Sequence, residues 1–139
     1  MAPFSVQRID HLVLRVKDLE RATAFYRDVL GSELVRRRDD LGLMHLRAGA
    51  SLIDLVSVDG PLGQKGGAAA GPEARNLDHL CLRIDPFDEA AIVAHLLACG
   101  VAPHGPAQNN FGAEGQGPSL YFSDPDGNTV ELKGPAGGA

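Results

Sequence analysis

The chain has 139 residues, the size of one domain with a proper core. Its 44% hydrophobic and 22% charged residues are those of an ordinary globular chain, and a net charge of −5 excludes a nucleic-acid binder, which needs a basic face. No apolar run approaches the ~20 residues that cross a bilayer, so no membrane span, and no membrane partner, is expected. The start of the chain carries no signal-like apolar stretch, and Cys81 and Cys99 stand alone, so a cytoplasmic protein is expected.

Residues 8 to 16 alternate, His11, Val13 and Arg15 on one side and Leu12, Leu14 and Val16 on the other, which reads as a half-buried strand. A helix follows, with Asp18 as N-cap, an apolar stripe at Ala22, Phe25, Tyr26, Val29 and Leu30, and Gly31 as its stop. After Gly31 the period returns to two, and residues 33–39, 42–47 and 51–58 read as three strands. Arg36, Arg37 and Arg38 are followed at once by Asp39 and Asp40, the composition of a solvated strand end. Residues 59–75 are rich in Gly and Ala without periodicity and read as a linker, mobile at its centre.

The second half repeats the order. A strand over 76–84 leads to a helix opened by Asp85 as N-cap and Pro86 at its first position, running to Cys99 with Phe87, Ala91, Ala94, Leu97 and Ala98 on its apolar face. A short strand at 101–103 and a Gly-rich loop at 104–118, suited to a lid, come next. Two strands, 119–123 and 128–133, flank a type I turn at Asp124-Pro125-Asp126-Gly127, and the tail from Gly134 reads as disordered. The expected architecture is α+β. Two βαβββ modules, 8–58 and 76–133, form an eight-stranded half-open barrel around a cavity.

The first strands of the two modules carry the same phrase. Asp10-His11-Leu12, Leu14 and Arg15 recur as Asp78-His79-Leu80, Leu82 and Arg83 at an offset of 68 residues. Because Leu12 and Leu14 pack on the helix, His11 faces the cavity, and so do His79 and Cys81. The last strand of each module sets an acid between apolar neighbours, Asp54 and Glu131, which is costly against a dry core and reasonable against a hydrated or metal-filled cavity. Two imidazoles and two carboxylates at repeat-equivalent positions suit a borderline divalent ion (Zn, Ni, Co, Mn or Fe(II)) with positions left open for substrate. His45 and His104 are read as surface or supporting residues, Cys81 as a small apolar filler, and Arg15 and Arg83 as rim salt-bridge partners. Tyr121, ten residues before Glu131, reads as a strand aromatic.

The strands IDHLVLRV and LDHLCLRI and the closing stretch SLYFSDPDGNTVELKG make the chain similar to the vicinal oxygen chelate superfamily. That superfamily includes glyoxalase I, fosfomycin-resistance thiol transferases, bleomycin-resistance proteins, extradiol dioxygenases and methylmalonyl-CoA epimerase. The chain most resembles its small glyoxalase-domain proteins. The resemblance implies that His11, His79 and Glu131 hold the metal, with Asp54 as a fourth ligand shorter than the usual glutamate, and that Glu131 or Asp54 moves protons. It implies a metal-dependent lyase or isomerase of glyoxalase type acting on a small substrate that chelates through vicinal oxygens, in a homodimer. Two alternatives stand beside it. One is an Fe(II) extradiol dioxygenase using Tyr121 as acid or base, and the other a non-catalytic drug-binding resistance protein.

Overall fold

In the computed structural model, which describes residues 1–137, the order βαβββ occurs twice. The first module holds β1 (His11–Val16), α1 (Leu19–Leu30), β2 (Leu34–Arg38), β3 (Leu43–Ala48) and β4 (Ser51–Ser57). The second holds β5 (Leu80–Arg83), α2 (Glu89–Ala98), β6 (Gln108–Gly112), β7 (Gly115–Ser123) and β8 (Thr129–Lys133). Each module makes a four-stranded sheet, ordered β1-β4-β3-β2 and β5-β8-β7-β6, and the pair forms a half-open arrangement rather than a closed barrel. The first strand of each module lies parallel to the last and forms an edge of its sheet.

Alternation along the strands sorts the side chains. Leu14, Val16, Met44, Leu46, Ile53 and Leu55 are at most 1% exposed, and they meet Ala22, Tyr26 and Val29 of α1. Leu80, Leu120, Phe122, Val130, Leu132 and Leu96 of the second module join the same cluster, so the two modules share one core. Polar bonds close the seam. The Tyr26 hydroxyl donates to Asp124 Oδ2 at 2.6 Å, and the same carboxylate accepts from the backbone of Asp126 and Asn128 and from Asn128 Nδ2. The conspicuous Asp-Pro-Asp-Gly-Asn turn is therefore a latch between modules, its buried charge stabilised by hydrogen bonds instead of an ion.

Helix α1 matches its expected signals. Asp18 caps the Arg21 N–H, and Gly31 adopts φ 69°, a left-handed conformation favourable to glycine, returning its N–H to Tyr26 O. Helix α2 does not match. Its N-cap is Asp88, which accepts from Ala91 N, not Asp85. Its inward residue is Leu96, with Ile92 and Val93 beside it, whereas Leu97 is 57% exposed. An almost wholly apolar helix carries little periodic signal, and only the position of the shared core decides which stripe turns in.

Further expectations are corrected. Residues 101–103 form no strand, and the expected lid at 104–118 is mostly a hairpin, β6 and the start of β7, closed by Ala113 and Glu114 between Gly112 and Gly115. The linker is tied down, because Arg15 donates to the carbonyls of Gly63 (2.9 Å), Gly67 (2.5 Å) and Ala68 (3.0 Å) instead of forming a rim salt bridge. The tail continues along β7, with Gly134 N and Gly137 N bonded to Pro118 O and Gln116 O, while Gly138 and Ala139 lie outside the described residues.

Candidate metal centre

His11 opens the edge strand β1 and His79 directly precedes the edge strand β5, both on the face turned away from the core. In each, the preceding aspartate accepts from the ring. His11 Nδ1 donates to Asp10 Oδ1 at 2.8 Å and His79 Nδ1 to Asp78 Oδ1 at 2.6 Å. A carboxylate on Nδ1 sets the tautomer that leaves Nε2 bare, the usual outer-sphere support of a metal-binding imidazole. Asp10 also draws the His11 pKa upward, helped by the field of Asp54 and partly opposed by desolvation.

His79 has its carboxylate beside it. Its Nε2 lies 3.2 Å from Glu131 Oε1, and Glu131 is only 5% exposed. Ser119 Oγ donates to the other carboxylate oxygen, Oε2, at 2.6 Å. Burial alone pushes the Glu131 pKa up, but hydrogen bonds from Ser119, Tyr121 and Cys81 and the nearby His79 outweigh it and hold it below its ordinary value of 4.5. Tyr121 faces Glu131 across the β7–β8 ladder, takes a hydrogen bond from Asn110 Nδ2 at 3.0 Å, and sits edge-on to the His79 ring with centroids 5.9 Å apart. Desolvation and the Glu131 carboxylate push its hydroxyl up to about 12, so it carries a proton at neutral pH. Cys81 is exposed on this same face rather than packed as apolar filler, and desolvation with Glu131 pushes its thiol up to about 11, which rules out a ready thiolate.

In the first module, Asp54 is 5% exposed and is engaged by His45, whose Nδ1 lies 2.8 Å from Asp54 Oδ1. His104 is peripheral and bonds Ser123 Oγ. Arg83 forms the expected rim salt bridge with Glu114. Among the described residues no three His, Cys, Asp or Glu side chains group to hold one ion. The predicted ligands therefore stand as two pairs, His11 with Asp54 and His79 with Glu131. A cavity of about 580 Å³ opens between the modules, lined by Ile9, Leu12, Arg47, Leu82 and Arg83 among others, and none of the four predicted ligands lines it. Sequence reading passed over Asp10, Asp78, Ser119 and Asn110 as site residues. The two aspartates left a signal, since Asp precedes His in both copies of the repeat. The other two left none, because only strand register brings them to Glu131 and Tyr121.

Paired βαβββ modules on one core, each with a supported histidine on its first strand, define the class. The chain belongs to the Glyoxalase/Bleomycin resistance protein/Dioxygenase superfamily, whose profile matches residues 8–132. It is 31% identical over 128 residues to the virulence protein STM3117 of Salmonella typhimurium strain LT2, covering 91% of this chain and 83% of that one. The crystal structure of that protein aligns with a TM-score of 0.79 at 28% identity, over 96% of this chain and 100% of the other. Lactoylglutathione lyase from Agrobacterium tumefaciens aligns at 0.65 and 25% identity, over 96% of each chain. TnmS3, an antibiotic binding protein from Streptomyces sp. CB03234, aligns at 0.67 and 27%, over 96% of this chain and 99% of that one. No helix among the described residues is long and apolar enough to cross a membrane.

Proposed function

We propose that the chain is a divalent-metal-dependent enzyme of glyoxalase type, a lyase or isomerase, acting on a small substrate that presents vicinal oxygens. One observation carries this reading. Each repeat histidine has its Nδ1 held by the preceding aspartate, which leaves two equivalent Nε2 donors, one of them beside the Glu131 carboxylate. The donor set suits a borderline ion such as Zn, Ni, Co, Mn or Fe(II).

His11, His79 and Glu131 are the ligands in this reading, and they come from two copies of the chain, His11 from one and His79 with Glu131 from the other. The edge positions of β1 and β5 and the exposure of Val13 at 49% support a homodimer joined at these strands. A bound ion supplies Lewis-acid polarisation of the substrate oxygens. Ser119 and Tyr121 keep Glu131 ionised and aimed, and the protonated Tyr121 hydroxyl offers a donor to the substrate.

Elemental analysis after reconstitution with each candidate metal tests the reading. Wild type is expected to hold a stoichiometric ion and His79→Ala to lose it. Equal loads in both, or none in wild type, overturn it. The sequence similarity to TnmS3 and the absence of a single-chain ligand group among the described residues favour a second reading, metal-independent binding of a small molecule. A protein that retains no metal yet binds such a molecule would establish that reading instead.

A further inference from the structure

The register repeats in the third strand of each module as well as in the first and last. Glu131 stands opposite Tyr121 on β7, and Asp54 stands opposite His45 on β3. In the second module the partner of the acid is a hydroxyl donor. In the first it is an imidazole, with Nδ1 at 2.8 Å from Asp54 Oδ1 and side chains 19% and 8% exposed. Among the described residues His45 Nε2 has no hydrogen-bond partner, and it is not sealed in the core.

We propose that Asp54 is not a metal ligand but the positioning residue of a His45–Asp54 dyad, with His45 Nε2 the proton acceptor on the first module's polar face. Asp54 accepts a hydrogen bond from Nδ1–H, so the proton stays on Nδ1 and the ring's lone pair lies on Nε2. A proton that leaves a carbon acid goes to Nε2, the electron pair of the broken C–H bond stays with the substrate as an enolate, and the imidazolium formed is balanced by Asp54. At the equivalent register position of the second module stands a donor, the protonated Tyr121. This assignment rests on the metal-site reading above for the place of the substrate, but the dyad itself does not depend on the ion.

Long-range ¹H–¹⁵N correlation spectra of the metal-free protein test it. His45 is expected as the Nδ1–H tautomer, and Asp54→Asn is expected to abolish that preference. Zinc loading provides a second readout. Asp54→Asn is expected to keep the wild-type load, while Glu131→Gln loses about 10-fold or more in affinity. An Nε2–H tautomer in wild type, or a zinc loss in Asp54→Asn matching that of Glu131→Gln, overturns the proposal. The wild-type spectrum decides the matter even where a variant fails to fold. Absence of zinc from every protein would count against the metal reading and leave the tautomer result standing.

Discussion

At the scale of single residues, the site is an exercise in holding protons on chosen atoms. Asp10 and Asp78 keep protons on Nδ1, Ser119 and Tyr121 keep them off Glu131, and burial keeps one on Tyr121. Glu131 makes a testable case. Its folded pKa is lowered, so the unfolded chain binds the extra proton, and the stabilisation is present above 4.5 and lost as pH falls through the folded value. In urea unfolding of metal-free protein between about pH 3 and 7, wild type is expected to lose this increment on the acid side. Glu131→Gln should be less stable near neutrality and converge on wild type in acid. Parallel curves would mean that the carboxylate is not held ionised by its neighbours.

At the scale of elements, α1 and α2 differ in how much their own residues decide. Helix α1 has a cap, an amphipathic stripe and a left-handed glycine stop, and each acts where local chemistry predicts. Helix α2, Glu-Ala-Ala-Ile-Val-Ala-His-Leu-Leu-Ala, is apolar on most sides, so its orientation follows from the neighbours that bury Leu96. His95 adds a tie to α1, donating from Nε2 to Val29 O at 2.7 Å. Leu96→Ala is expected to cost about 2–5 kcal/mol, because it opens a cavity in the shared core. Leu97→Ala, one residue away and exposed, should stay within about 0.5 kcal/mol. Denaturant unfolding of the two variants distinguishes the observed face from the one centred on Leu97, which would reverse the order.

For the whole molecule, the decisive fact is that both modules spend their apolar faces on each other. Their histidine-bearing faces then point away from the common core, and among the described residues no three His, Cys, Asp or Glu side chains group to hold one ion. In the proposed homodimer, pairing two chains through the free edges of β1 and β5 would supply the missing half. Co-assembly of His11→Ala with His79→Ala tests this reading. In a mixed dimer one site carries both lesions and the other none, so random pairing should recover about a quarter of the wild-type metal load, while each variant alone holds little. Sites closed within one chain would recover nothing on mixing.

Much of this was legible in the residues. Alternation placed His11, Asp54, His79 and Glu131 on the polar faces, and the 68-residue repeat showed two equivalent modules, because both signals arise from the chain's own period. The hairpin of β6 with the start of β7 was hidden by its glycines and asparagines, which read as loop until the two strands ladder with each other. Likewise the mobile linker became a clasp only because Arg15 reaches carbonyls some fifty residues away. The sequence by itself determined the two-module fold and the kind of atoms presented. Only the tertiary structure decided that Asp54 answers to His45 and that the two His–acid pairs stand apart, since both depend on which faces pack together, and that is settled by burial between elements rather than within them.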